Sequence, residues 1–188
     1  MKNAPTPRTL APTLLCDALA DLIAACDAAC ERQAAQRGAR LRAALHTALA
    51  AGLPAPEARA AAPQGYRRHV LHGDALGRYA IASLVWLPGQ ASPVHAHQVW
   101  CAYAVADGTL LESVFECTPR GASASWRGER VRSRGAITYV DAGRAQGAHR
   151  LANRSEAPAI SLHVYGIAAE RLSSGVNDCL PGDQGRPV

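Results

Sequence analysis

The stretch SPVHAHQVWC, Ser92 to Cys101, sets two histidines one residue apart and places a cysteine four positions after the second. On a β-strand residues i and i+2 point to one face, so His95 and His97 would offer both imidazoles to a single ion. An isolated pair of this kind is weak evidence, because surface strands also carry histidines. The flanking punctuation strengthens it. Gly89 lies five intervening residues before His95, and Gly108 closes a turn after the next strand, giving G-x5-H-x-H-x3-C-x6-G. Further on, Gly135-x5-Asp141-x-Gly143-x5-His149-x3-Asn153 repeats the strand, turn and strand and adds a third histidine.

Around these blocks, from Tyr66 onward, the pattern is of short strands. They are expected over 66–72, 78–87, 93–95, 99–106, 109–117, 124–133, 136–140, 147–152 and 158–165. Gly73-Asp74, Pro88-Gly89, Asp107-Gly108 and Asp141-Ala142-Gly143 separate them. Many short strands without βαβ alternation point to a sandwich or jelly roll. Before residue 65 the chain is alanine-rich and helical in period. Leu15, Leu19, Leu22, Ile23, Cys26 and Cys30 share one helical face, and Pro12 suits a first turn. A second helix buries Leu41, Leu45, Ala48 and Leu49 and stops at Gly52, Pro54 and Pro56. The expected organisation is a helical cap (1–64), a β-barrel (65–170) and a tail (171–188) whose Pro/Gly-rich end is mobile.

Composition narrows the class. The 188 residues are 48% hydrophobic, enough for one core. The six cysteines show neither a CxxC pair nor zinc-finger spacing, which suits reduced thiols in a cytoplasmic protein. Asp17 and Asp21 interrupt the apolar N-terminal stretch, so no signal-peptide core is expected, and no segment has the apolar length of a membrane span. The net charge of +5 is spread over scattered arginines with a single lysine, a solvated surface rather than a nucleic-acid footprint.

The two glycine-histidine blocks resemble the paired motifs of the cupin superfamily. That resemblance implies a mainly β fold, a double-stranded β-helix or jelly-roll barrel with N-terminal α-helices packed on it, in which His95, His97 and His149 meet. Cys101 stands where cupins usually carry a glutamate, and Asp141 where the second motif usually has proline. Without the glutamate, three neutral imidazoles leave a divalent metal its full charge. Such a centre readily accepts an anionic ligand such as a thiolate and keeps positions open for dioxygen. Ligand type alone also admits zinc, nickel or manganese.

YRRHVL (66–71), HAHQVWCAYAVADGTLLE (95–112), HRLAN (149–153) and SLHVY (161–165) together are similar to the thiol dioxygenases, most closely cysteine dioxygenase. The resemblance covers about residues 66–166. It implies that His95, His97 and His149 bind ferrous iron, that O2 is co-substrate, and that Tyr66 and Arg68 belong to the substrate site. Arg68 would pair with the substrate carboxylate, its planar fork suited to two parallel hydrogen bonds. Arg67 would point the opposite way. Ser161, His163 and Tyr165 alternate on one strand and match the family's serine–histidine–tyrosine relay. Cys101 matches a cysteine that some members join to that tyrosine by a thioether; an unmodified buried thiol is the other reading. The implied activity is oxidation of L-cysteine to cysteine sulfinic acid. Alternatives are a dioxygenase for 3-mercaptopropionate or another small thiol, and a non-catalytic metal- or ligand-binding cupin sensor. The expected partner is a small-molecule thiol, with the chain a monomer or homodimer.

Overall fold

The structure, a computed structural model, describes residues 12–117 and 124–180. The Leu15 side chain and the Pro/Gly-rich end beyond residue 180 lie outside the described residues and side chains. Two helices come first, α1 (Pro12–Cys30) and α2 (Ala34–Ala50). Alanine and leucine at three- and four-residue spacing give each an apolar stripe. In α1 the most buried positions are Ala18, Leu22, Cys26 and Ala29, with Leu19, Ile23 and Cys30 partly buried beside them. In α2 they are Gly38, Leu41, Leu45 and Ala48.

Ten strands follow: β1 (Arg67–Gly73), β2 (Ala80–Trp86), β3 (His95–His97), β4 (Cys101–Asp107) and β5 (Thr109–Cys117), then β6 (Ala124–Ser133), β7 (Ile137–Val140), β8 (Ala148–Ala152), β9 (Ala159–Tyr165) and β10 (Asn177–Cys179). All nine expected strands form, with ends shifted by two residues at most; β10, inside the expected tail, is the addition. They build two antiparallel five-stranded sheets, ordered β1-β2-β9-β4-β7 and β10-β3-β8-β5-β6. Apart from the hairpins β1–β2 and β5–β6, each strand is followed by one in the other sheet, the winding of a double-stranded β-helix.

The inner strands of the first sheet are buried on both faces, which is why β2 and β9 carry no exposed residue. Period-two alternation divides their side chains. Tyr79, Ile81, Ala102, Ala104, Leu162 and Val164 point outward and pack under α1 and α2. Ala80, Ala82, Leu84, Trp86, Cys101, Tyr103 and Tyr165 point into the barrel. Leu41 and Leu45 are fully buried in the helix–sheet layer, each contributing about 1.5–3 kcal/mol by area. At one end Arg78 pins the C-terminal part of α1 to the β1–β2 hairpin through Asp74, Asp27 and Glu31, and the Tyr79 hydroxyl donates to Ile23 O at 3.2 Å.

Candidate metal centre and substrate pocket

β3 and β8 lie side by side with His95 directly opposite His149, and His97 follows one pleat along. The ring centroids of His95–His97, His95–His149 and His97–His149 are 5.2, 4.7 and 4.9 Å apart. Among the described residues these three side chains form a cluster whose ligand atoms all lie within 4.8 Å of one another. The donor set fits a transition metal. His95 Nδ1 donates to Pro93 O at 2.9 Å and His149 Nδ1 donates to Glu112 Oε1 at 2.8 Å, which leaves Nε2 of each ring free to ligate. Burial first, then repulsion from His149, lowers His95 to about 3 and His97 well below the usual imidazole range. Both rings are thus neutral, as ligation requires.

Glu112 was missed by sequence reasoning. It sits at an inward position of β5, 4% exposed, and its second oxygen accepts from Arg132 Nε at 2.7 Å. Burial alone would raise its pKa, but the hydrogen bond from His149 and the charge of Arg132 outweigh it and hold the carboxyl at about 2. The available signal was a glutamate in register with Leu110 and Val114, where alternation calls for an apolar residue.

The barrel side of the triad is a tight pocket with about 20 Å³ of free space, bounded by Tyr66, Arg68, Trp86, Cys101, His163, Tyr165 and Asn177 together with the three histidines. Arg67 is exposed while Arg68 turns inward. Arg68 Nη1 donates to Leu172 O at 2.9 Å, and its buried Nε has no partner. A buried donor left open in this way asks for an acceptor from a ligand. Tyr66 lies against Trp86, centroids 4.3 Å apart, and forms part of the same wall.

Ser161, His163 and Tyr165 share one face of β9, and His163 and Tyr165 line the pocket. Trp86 Nε1 donates to Ser161 Oγ at 2.9 Å, Ser161 Oγ lies 2.8 Å from His163 Nε2, and His163 Nδ1 lies 2.9 Å from the Tyr165 hydroxyl. Trp86 can only donate, which fills one lone pair of Ser161 Oγ and leaves its hydroxyl proton available to Nε2. In the tautomer in which Ser161 donates to Nε2, His163 Nδ1–H donates to the Tyr165 oxygen and the phenolic proton is free to face the pocket. Burial and the nearby Arg68 charge keep His163 well below the usual range, hence neutral. Burial, with the nearby Cys101, raises Tyr165 well above its ordinary value, so it stays a phenol. Tyr103 stacks on His163 at 5.3 Å and adds to the wall. Trp86 and Tyr103, like Glu112, had not been read as part of the site: nothing in a single strand shows which aromatic ring another strand will face.

Cys101 is not part of the histidine cluster. It lies on β4 in the opposite sheet, 2% exposed, with its thiol pKa raised by burial. On the other side of the triad a wider cavity of about 310 Å³ is lined by Glu112, Arg130, Arg132 and Asp141. The smaller pocket is the better substrate site, because it holds the unpartnered guanidinium donor and the phenol.

A model of the family described as cysteine dioxygenase type I matches residues 56–171, well over half of the chain. The chain belongs to this family. Solved structures with a similar fold include the TT1209 protein from Thermus thermophilus, at 22% identity and a TM-score of 0.47, covering 59% of this chain and 91% of that one. A double-stranded β-helix protein from Klebsiella pneumoniae matches at 16% identity and a TM-score of 0.47, covering 60% and 86%. An oxalate oxidase in complex with glycolate matches at 19% identity and a TM-score of 0.44, covering 56% and 53%. Membership of the cysteine dioxygenase type I family and the three-histidine cluster together support a thiol dioxygenase on a cupin barrel. No helix among the described residues is long and apolar enough to cross a membrane.

Proposed function

We propose that the protein is an iron-dependent dioxygenase that converts L-cysteine and O2 to cysteine sulfinic acid. Both oxygen atoms go to sulfur, R–SH + O2 → R–SO2H, and no external reductant is consumed. The observation that carries this reading is the juxtaposition, in one tight pocket, of a three-imidazole cluster, an open guanidinium and a phenol. Ferrous iron held by His95, His97 and His149 would supply the chemistry that brings thiol and dioxygen together.

The chain's own residues do the rest. Arg68 takes the substrate carboxylate through Nε and its free guanidinium positions, fixing the thiol end toward the histidines. Tyr165 offers its proton to oxygen or sulfur as charge develops, and the Ser161–His163 pair holds the phenol oxygen in place. Leu84, Trp86 and Leu151 line the pocket and limit water around the reacting sulfur. Cys101, opposite Tyr165, is the partner for a thioether that would hold the phenol ring still. Arg68 on β1 favours cysteine over 3-mercaptopropionate, since relatives specific for the latter take the carboxylate with an arginine elsewhere.

An oxygen electrode run with iron-reconstituted protein and a panel of small thiols tests the reading. One O2 consumed per sulfinate formed from L-cysteine is expected. Absence of oxygen uptake with cysteine and every related thiol would sink it and leave a binding cupin.

A further inference from the structure

Between the β7 edge of the first sheet and the β6 edge of the second lies the larger cavity, about 310 Å³, across the histidine cluster from Arg68 and Tyr165. Glu112, Arg130, Arg132, Thr138 and Asp141 give it a polar wall, and His97 borders it as well as the substrate pocket. The charges in this wall are unevenly matched. Arg132 Nε donates to Glu112 Oε2 at 2.7 Å, and Asp141 Oδ1 accepts from the Tyr139 hydroxyl at 2.6 Å. Arg130 stands directly opposite Glu112 across β5 and β6, so both project to the same face. Glu112 is already taken by Arg132 and His149, and Arg130 forms no ion pair among the described residues.

His97 is incomplete in a similar way. His95 and His149 each set Nδ1 on an acceptor, Pro93 O and Glu112. The His97 ring makes no hydrogen bond to any described residue. Once one nitrogen ligates, a neutral imidazole keeps its proton on the other, and ligand histidines pass that N–H to an acceptor. The substrate pocket has about 20 Å³ of free space, so the larger cavity is the one with room for that acceptor. Two donors, one of them charged, thus face a common space beside a centre whose imidazole ligands add no negative charge.

We propose that this cavity binds an acidic α-amino acid, one whose side chain ends in a sulfinate or carboxylate, at a site separate from the substrate pocket. The guanidinium of Arg130 pairs with one oxyanion, and the His97 N–H donates to the other. The ammonium goes to Asp141, whose second oxygen the Tyr139 hydroxyl leaves open. A simple amino acid would satisfy only one of the two donors, which is why a second acidic group is specified. A cavity of this volume suits a small molecule. Two sources supply the chemistry: the sulfinate formed across the histidines, which rests on the thiol dioxygenase reading, and free L-aspartate.

The test is calorimetric titration of L-cysteine sulfinate, and separately of L-aspartate, into iron-loaded protein saturated with L-cysteine and held without oxygen. Binding beside bound cysteine is expected. Arg130→Ala should weaken it by about tenfold, the worth of a charge-assisted hydrogen bond at a partly exposed site, while Arg130→Lys keeps most of the affinity. Tighter binding of the sulfinate points to the reaction's own product, and equal or tighter binding of aspartate to the general acidic amino acid; either supports the site. Failure of both ligands to bind cysteine-saturated protein overturns the proposal, as does wild-type affinity in Arg130→Ala. If Arg130→Ala does not fold, Arg130→Gln takes its place. Failure of the dioxygenase reading looks different: wild type takes up no oxygen with any thiol. The titration is then read without cysteine, where loss in Arg130→Ala but not in Arg68→Ala still assigns the ligand to the larger cavity, and the reverse pattern overturns it.

Discussion

Cys101 and Tyr165 are direct partners across β4 and β9, in register and both facing the pocket. Joining Cys101 Sγ to a ring carbon of Tyr165 removes the thiol proton and one ring hydrogen, with two electrons passing to dioxygen. Peptide mass analysis after aerobic turnover with iron and cysteine should show a linked pair lacking two hydrogens, and Cys101→Ala should abolish it. Full alkylation of Cys101 in denatured, turned-over protein would remove the crosslink and leave the dioxygenase reading standing.

Arg68→Ala should raise the KM for L-cysteine by about 10–100-fold, the worth of a charge-assisted hydrogen bond at roughly 1.5–3 kcal/mol. The change in kcat should be smaller, because the thiol still reaches the histidines. Steady-state oxygen uptake separates the two, and an unchanged KM would place the carboxylate elsewhere.

Glu112→Gln keeps the shape of the side chain but removes the charge that orients His149 and pairs with Arg132. Metal affinity should fall by about 10–100-fold. Competition with a chromophoric chelator measures this without reference to turnover. Wild-type affinity in the variant would reduce Glu112 to a packing residue.

His163 gives stability a pH dependence with a definite sign. Its folded pKa lies well below the unfolded value of 6.5, so below that pH the unfolded chain takes up a proton that the native state refuses. Stability is therefore flat above pH 6.5 on this account and falls as pH drops below it, by at most about 1.4 kcal/mol per pH unit. Urea melts of wild type and His163→Gln at pH 7.5 and 5.5 should show a shallower acid loss in the variant. Identical losses would count against a neutral His163.

Gly38 lets α2 approach the barrel: an added Cβ would lie 2.6 Å from Tyr139 Cδ1. Alanine is the better helix former by about 1 kcal/mol, yet overpacking costs roughly 1–3 kcal/mol. Gly38→Ala should therefore be net destabilising by about 1 kcal/mol. In a Tyr139→Ala background the same change should become stabilising, which chemical denaturation of the four proteins would read directly.

Much of this architecture is legible along the chain because it depends on neighbours in sequence. Turn residues and period-two alternation mark the nine expected strands, and the spacing of His95 and His97 puts both rings on one face whatever the rest of the protein does. The same alternation places Ser161, His163 and Tyr165 together, and sets Arg68 apart from Arg67. What the sequence could not supply is pairing between strands far apart in the chain. Glu112 meets His149, and Trp86 meets Ser161, only because β5 lies against β8 and β2 against β9. Asn177 enters the pocket only because a three-residue strand finds the edge of β3. A segment that short has too little pattern of its own to announce a strand, and its place comes from hydrogen bonds offered by a distant edge. The pair that opened the reading, His95 and His97, was determined by local backbone geometry. Their third partner, the carboxylate behind it and the phenol in front were brought within reach by long-range packing, which the order of residues alone does not specify.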